Sequence, residues 1–468
     1  MSTKQVIETS SDITSMINAR AIPRSENATR PIRVLFLGFP LTHYFRDLFN
    51  RLHQVPGISV LHVQHAGKHK HAGEAVYQTL EGVEFLCFQL EEVVCPAKRV
   101  FGLSDFELQP AYHNFPGLAR LFWEHRPHIV VADVEYHRIF TYNRDVRRAV
   151  REFRCKVVFR SIPFSLPTYE ESLAAVPLIP RIPLRSSRFL RFWFRVSGLD
   201  RAYARWVRNP ALIRKKMRER AVFCTPDAHI VYHEQGVAIY GSWGVPPERV
   251  HVVRNSPDTD KLLAARRRIL NGPRTPTLQP HRIVHVGRLV QWKRVDLLIR
   301  AVAALRGGRI PDAELVVVGH GPCAGELQAL AEQLGVAQSV SFRGGVYDED
   351  ELARCFLSSA VYVLAGMGGL SINEAMCFGL PVICSRCDGT EKFLVRDGVN
   401  GLYFRENDLS DLVEKIARLL EDSGLRMRMG AESLRIVKEE MNIHTLVSNY
   451  LHVFHALGFT ALGESSCS

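Results

Sequence analysis

The sequence predicts an α/β protein built from two parallel-sheet domains, and three features of it point there. A chain of 468 residues is too long for one ordinary hydrophobic core. Short apolar runs alternate with segments of helical periodicity in both halves of the chain, the rhythm of strands joined by covering helices. Several of the runs end on Gly-rich turns, as the functional loops at the carboxyl ends of parallel strands do.

Taken in order, residues 1–30 are polar, rich in Ser, Thr and Asn, and lack an apolar core, so neither order nor a secretory signal is expected there. A first domain is expected over 31–262. Its opening run, 32–38 (IRVLFLG), leads to a helical pattern over 41–55 through Phe45, Leu48, Phe49 and Leu52. Further strand-like runs follow at 59–64, 85–89, 129–133, 156–161, 229–233 and 250–254, with helical segments at 118–125 and 144–153. Such alternation implies a parallel sheet with right-handed crossovers.

A basic, aromatic block interrupts this domain over 181–220. The formal net charge of the chain is +12, and this block alone holds thirteen Arg or Lys against Asp200 and Glu219, a balance of +11. Arg interleaved with Phe189, Phe192, Trp193, Phe194, Tyr203 and Trp206 fits a segment on an anionic membrane surface. A solvated helix with its aromatics packed on the domain is the plain alternative, and phosphate neutralisation with base stacking is a weaker third. No apolar run approaches the about 20 residues of a spanning helix, so a cytoplasmic protein, peripheral on the inner membrane face at most, is expected.

Residues 263–281 read as a polar, Pro-containing linker. The second domain, 282–442, repeats the alternation more regularly, with strand-like runs at 283–287, 314–319, 340–344, 360–365, 381–385 and 401–404, each followed by a helical segment. Residues 443–468 carry a final helix expected to pack back toward the first domain. Most of the ten cysteines that can be placed sit in apolar runs, as reduced core thiols do. Cys384 and Cys387 form a lone CxxC with no second pair at zinc spacing, so Cys384 reads as a strand residue and Cys387 as a loop residue.

The most informative stretch is 365–387 (AGMGGLSINEAMCFGLPVICSRC). Gly366, Gly368 and Gly369 follow a strand and precede an amphipathic segment through Ile372, Ala375, Met376 and Phe378. A helix N-terminus offers unpaired N–H groups and the positive dipole end to a phosphate, and glycines let an anion approach the backbone. Glu374, about one and a half turns into that helix, suits hydroxyls carried by the same ligand. A tight turn capping a helix with one solvated Glu is the alternative. Arg288 and Lys293 follow the first strand of the second domain, where two fixed cations suit a diphosphate and two solvated cations are the alternative. Gly319 and Gly321 after the next strand, and Gly344 with Gly345 after the third, add close-approach turns to the same edge.

Residues 283–422 resemble the nucleotide-sugar-binding domain of the retaining glycosyltransferases of family 4. The segments that carry the resemblance are HVGRLVQWKRVDLLIRAV, LVVVGHGP, VSFRGGV, GLSINEAMCFGLPVICS and GTEKFLVRDGVNGLYF, in the family's order, with NSPDTD at 255–260 similar to the segment closing its first domain. The resemblance implies the GT-B architecture, two Rossmann-like domains facing a central cleft, and transfer of a sugar from a nucleoside diphosphate donor with retention of configuration. Arg288 and Lys293 would hold the diphosphate, Gly369 and Leu370 would offer N–H groups to its distal phosphate, and Ser371 would lie beside them. Glu374 would accept from the ribose, and the loop of Phe342, Arg343, Gly344 and Val346 would border the base, with Gly287, Gly319 and Gly321 completing the donor site. Arg288, Lys293 and Glu374 would carry catalysis without a metal or cofactor. A saccharide or lipid-linked acceptor, as in polysaccharide assembly, and no nucleic acid would complete the set of partners.

The chain departs from the family pattern twice. The first of two acids separated by seven residues is replaced by Gly366, and the usual His after a middle strand of the first domain is missing from 160–163. His43 or His137 could substitute for it, though each reads first as a surface or structural histidine. The departures keep open a second expectation, a GT-B-like protein that binds or scaffolds without turnover.

Overall fold

The structure, a computed structural model, describes residues 31–65, 80–95, 112–161, 166–181, 205–387 and 391–460. Strands β1 (Ile32–Leu37), β2 (Ile58–His65) and β3 (Leu86–Leu90) open the chain, followed by an antiparallel pair, β4 (Val93–Cys95) and β5 (Tyr112–Asn114). β6 (Ile129–Asp133) and β7 (Lys156–Ser161) precede a second antiparallel pair, β8 (Leu178–Arg181) and β9 (Arg205–Arg208), and then come β10 (Ala228–Val231) and β11 (Val250–Val252). Seven of these strands form one sheet in the order β11-β10-β7-β6-β1-β2-β3.

The second sheet holds β12 (Arg282–Val286), β13 (Glu314–Val318), β14 (Val340–Phe342), β15 (Val361–Leu364), β16 (Val382–Ser385) and β17 (Gly401–Phe404) in the order β14-β13-β12-β15-β16-β17. All its pairs are parallel, with Ile283 of β12 opposite Leu315 of β13 on one side and Val361 of β15 on the other. The two-sheet α/β class read from the sequence is the class observed. Near-continuous apolar strands follow from burial on both faces. One face of the second sheet is covered by the helices Val295–Arg306 and Leu409–Glu421 through Leu298, Ile299, Val302, Ile416 and Leu420. The other is covered by Thr259–Leu270, Ser371–Cys377 and Ser423–Glu439 through Leu262, Ile372, Met376 and Ile436. Chain order reverses direction between β12 and β15, so the loops leaving those two strands flank the switch point where ligands bind in open α/β sheets.

The chain divides into two compact units, one drawn from Met1–Glu91, His125–Val130 and Val253–Ser468, the other from Glu92–Glu124 and Val131–Val252. Within the first unit, residues 264–270, expected as linker, are the second half of the helix Thr259–Leu270. The run Arg266-Arg267-Arg268 disguises it, while Leu262, Ala265 and Ile269 bury at helical spacing. Asp258 caps this helix, accepting from Asp260 N at 3.1 Å and Lys261 N at 3.3 Å, and takes both arms of Arg51 at 3.0 Å. Arg51 belongs to the helix His43–Gln54, and Lys261 reaches Asp47 of the same helix at 2.8 Å. The last helix, Ile443–Ala456, sets the Tyr450 ring 6.0 Å from Phe36 of β1, and His444 lies 2.9 Å from Asp260.

In the second unit the basic block is described only at its ends, because 182–204 lie outside the described residues. The helix Pro210–Phe223 turns two of its cations inward, Lys216 over the Trp243 ring at 5.7 Å and Arg220 over Tyr169 at 5.1 Å. Arg214, Met217 and Arg218 remain exposed. Among the described residues no helix is long and apolar enough to cross a membrane.

Two core histidines are held neutral. His229 in β10 donates from Nε2 to Phe223 O at 2.7 Å, His285 in β12 donates from Nδ1 to Val363 O at 3.0 Å, and burial lowers each to about 4. Between pH 6.5 and 4 the unfolded chain binds the protons these sites refuse, so stability falls as pH falls through that window. The expected loss from pH 6.5 to 5 is about 2 kcal/mol per histidine. Urea unfolding at both pH values checks it: His285→Phe should show a shallower pH slope than the wild type, and an equal slope would contradict a neutral His285.

Candidate functional site

β12 ends at the switch point and its chain turns through Gly287 to Lys293. This loop is pinned by its own backbone: Gly287 N bonds Val318 O at 3.0 Å, Leu289 N bonds His320 O at 3.0 Å, and a 3-10 turn over Gln291–Lys293 closes with Lys293 N to Val290 O at 3.0 Å. Arg294 follows in the left-handed region at φ 52° and starts the next helix. The Arg288 guanidinium lies 5.7 Å from the centre of the Trp292 ring. Lys293 reaches across the switch point, its ammonium donating to Met367 O at 2.7 Å and Gly368 O at 2.8 Å.

The Gly-rich turn after β15 is shaped by the same contact. A Cβ at Gly366 would stand 2.1 Å from Trp292 O, and Met367 N donates to that oxygen at 2.9 Å. The backbone of residues 292–293 thus occupies the space a side chain at 366 would need. A Cβ at Gly369 would meet Lys293 Nζ at 3.3 Å. Among the described residues the N–H groups of Gly369 and Leu370 have no backbone acceptor, and both lie beside the lysine. Ser371 opens the helix Ser371–Cys377, its Oγ accepting from Tyr362 Oη at 2.7 Å.

That helix is less amphipathic than its spacing suggests, because Ile372, Asn373, Ala375, Met376 and Cys377 are all buried. Glu374 falls in its first turn with its side chain 12% exposed. Among the described residues its carboxylate accepts no hydrogen bond, and His43 Nε2 lies 3.9 Å from Glu374 Oε1. His43 heads the helix His43–Gln54 and is half exposed, so the structure brings it to the site. His137 does not join them. It sits after β6 in the other unit, Nδ1 donating to Val134 O at 2.6 Å, with its pKa lowered chiefly by burial.

The other glycines of this edge approach neighbouring loops. A Cβ at Gly319 (φ 142°) would be 1.8 Å from Gly287 O, and one at Gly321 would be 2.4 Å from Leu289 O. Gly344, at φ 68°, has open space around its Cα and accepts from Gly319 N at 2.7 Å. Phe342 turns into the core, Val346 packs against the cluster on the opposite face, and exposed Arg343 is tied by its N–H to Val317 O at 2.9 Å. Sequence reasoning missed the apolar rim. Trp292, Tyr347 and Met367 are 49%, 52% and 41% exposed on the loops after β12, β14 and β15. It also missed His285, whose fully buried ring carries an Nε2 with no hydrogen-bond partner among the described residues, 3.5 Å from where a Gly287 Cβ would be. A polar residue amid IVHVG was the available signal.

Cys384 is buried in β16 and Cys387 follows in the loop, and neither forms a disulfide among the described residues. Among the described residues no three His, Cys, Asp or Glu side chains converge to hold a metal ion.

Two parallel sheets with cations and a Gly-rich turn at the switch point of the second define a GT-B fold. Residues 273–435 match the family model described as Glycosyl transferases group 1. HepE of Anabaena, solved with UDP, superposes with a TM-score of 0.58 at 16% identity, covering 91% of this chain and 100% of that one. The sucrose-phosphate synthase of Thermosynechococcus elongatus does so with a TM-score of 0.58 at 18% identity, over 92% and 99% of the two chains. Likeness at this identity shows the fold. In sequence, the GDP-mannose-dependent alpha-(1-6)-phosphatidylinositol monomannoside mannosyltransferase of Mycolicibacterium smegmatis is 32% identical over 194 residues, 39% of this chain and 48% of that protein. The chain spans about half the length of the curated relatives it matches, from 45% to 57% for the first four.

The contact at Gly366 is open to test. Gly366→Ala should destabilise the protein by about 1–3 kcal/mol, because the turn over Gln291–Lys293 must move. Gly325→Ala, at a helical position with nothing within 4 Å, should instead stabilise by about 0.5–1 kcal/mol. Equal urea midpoints for the two variants would contradict the packing.

Proposed function

We propose that this chain is a retaining glycosyltransferase of family 4 that transfers a sugar from a nucleoside diphosphate donor to a saccharide or lipid-linked acceptor. The observation that carries the reading is Glu374: a nearly buried carboxylate that accepts no hydrogen bond among the described residues, on the turn that also presents Lys293 and two open N–H groups. A mostly covered carboxylate with no donor from the protein among the described residues is open to one from a ligand, and a ribose offers two hydroxyls to it. Arg288, held over the Trp292 ring, and Lys293, anchored beside Gly369, would then meet the diphosphate.

The chemistry follows from those positions. Positive charge fixed at the leaving diphosphate stabilises the bond-breaking transition state, a role in which one donor is commonly worth about 3 kcal/mol. Two cations there make a divalent metal unnecessary. With the donor held on 282–442, the acceptor hydroxyl attacks an oxocarbenium-like centre from the face the diphosphate leaves, which retains configuration. Residues 31–262 would present the acceptor, and His43 of that segment lies 3.9 Å from Glu374. The Mycolicibacterium relative is named for action on a phosphatidylinositol mannoside, which supports a lipid-linked acceptor of the kind used in glycolipid or polysaccharide assembly. Arg214, Met217 and Arg218, exposed on the helix Pro210–Phe223, suit peripheral contact with an anionic membrane.

A second reading, a protein that binds the nucleotide without turnover, is favoured by one observation: Gly366 leaves no room for the acid that stands there in similar sequences. Thermal-shift titration with UDP, GDP, ADP and their sugars, followed by nucleotide release with membrane extract as acceptor, decides among the outcomes. One nucleotide should stabilise the wild type by about 2.7 kcal/mol at a hundredfold excess over Kd. Glu374→Ala and Lys293→Ala should each weaken it by about tenfold or more, as loss of a charged hydrogen bond does. Binding without turnover would leave the second reading, and absence of any stabilisation would refute the donor site itself.

A further inference from the structure

Beside the ends of the last two strands of the second sheet lies an open cavity of about 470 Å³ that the donor site does not use, lined by Arg386, Tyr403, Arg405, Glu406, Asp411 and Lys415. Its size is that of a small-ligand pocket. β16 and β17 pair in parallel with Cys384 opposite Tyr403 and Ser385 opposite Phe404, so Arg386 and Arg405 leave the sheet side by side. Arg405 is committed to acids, with Asp408 at 3.0 Å and Asp411 at 3.5 Å, and Lys415 lies 3.8 Å from Asp411. Glu406 receives the Cys387 thiol at 3.6 Å.

Arg386 differs from the other cations of the wall. Among the described residues no carboxylate lies within ion-pair distance of it, and its guanidinium stacks 4.6 Å from the centre of the Tyr403 ring. That ring is itself fixed, since Tyr403 Oη donates to Val395 O at 2.8 Å and Glu391 O at 3.0 Å. A planar fork resting over an anchored ring is partly placed before binding, and it matches the two oxygens of a carboxylate or phosphate. The cavity is also joined to the donor loop. Arg294, next to Lys293, bonds the side chain of Asn407, next to Glu406. β15, β16 and β17 are consecutive in the sheet, and at about 4.8 Å per strand the cavity mouth stands about 10 Å from the Gly-rich turn, one to two sugar units away.

We propose that this cavity is a binding site for an acidic saccharide, its carboxylate or phosphate group taken by Arg386 and its hydroxyls by Glu406 and Asp411. The proposal rests on the glycosyltransferase reading only in assigning the anion to a saccharide. It places an acidic unit of the acceptor or of the growing product on the edge of β16 and β17.

Titration calorimetry on the full chain tests it with trigalacturonate, mannose 6-phosphate, neutral maltotriose and inorganic phosphate as probes. The wild type should bind trigalacturonate or mannose 6-phosphate, and which of the two binds tells carboxylate from phosphate. Arg386→Gln should weaken that binding at least tenfold, and Arg386→Lys, which keeps the charge and loses the fork, should fall between. Arg428→Gln, which removes an exposed charge elsewhere, should bind as the wild type does. The site is overturned if no saccharide binds at millimolar concentration, if maltotriose or inorganic phosphate binds as well as the acidic saccharide, or if Arg428→Gln loses as much as Arg386→Gln. Nucleotide titration of the same wild-type sample separates the two proposals: an acidic saccharide bound without any nucleotide would refute the donor site and leave this one standing.

Discussion

A carbon atom added at Gly366 would stand 2.1 Å from the carbonyl oxygen of Trp292, and most of the switch point is arranged around that closeness. The turn after β12 and the turn after β15 meet backbone to backbone, so Lys293 can lay its ammonium on Met367 O and Gly368 O without a gap between them. The same device recurs along the edge of the sheet, where Gly319 approaches Gly287 and Gly321 approaches Leu289. Glycine serves here less as a source of flexibility than as the absence of a side chain between two loops. Cations placed by such contacts keep their positions before a ligand arrives, which is the condition for electrostatic stabilisation without reorganisation.

Charge at this edge is confined by burial. His285 lies under Gly287, and its enclosure first and the nearby Lys293 charge second lower its pKa to about 4. A neutral imidazole adds no cation beneath the loop, so the positive potential comes from Arg288 and Lys293 alone among these three side chains. Glu374 supplies the opposite sign on the next turn, nearly buried and faced by His43. The first helix thus meets the site through His43, and the same helix is fastened to the segment after β11 by Arg51 on Asp258 and Lys261 on Asp47. In each link a buried acid is met by a partly exposed cation, so removing the cation would take a partner from a buried charge.

Much of the second sheet was legible because its strands are buried on both faces and read as short, uniformly apolar runs ending in glycine. Arg288, Lys293 and the 365–374 stretch could be placed on one edge from that alternation alone. What a sequence cannot carry is which atoms a glycine approaches, so the closeness of Gly366 to the Trp292 carbonyl had no local signal. The helix Thr259–Leu270 was hidden because three consecutive arginines outweigh the apolar positions Leu262, Ala265 and Ile269 in any local window. His43 could be named as a candidate but not set apart from His137, since only the fold puts one beside Glu374 and the other against Val134 O. The pairing of Arg386 with Tyr403 depends on strand register and had no local signal.

The account stands or falls on whether a nucleoside diphosphate lies across the loops after β12 and β15. Hydrogen exchange read by mass spectrometry, with and without saturating nucleotide, measures that directly, because the N–H groups of Gly369 and Leu370 have no backbone acceptor among the described residues until a phosphate supplies one. Peptides covering 287–294 and 365–377 should slow markedly on nucleotide addition while those covering 229–252 stay unchanged. Protection confined to any other part of the chain, with 365–377 exchanging as before, would contradict the assignment of the site.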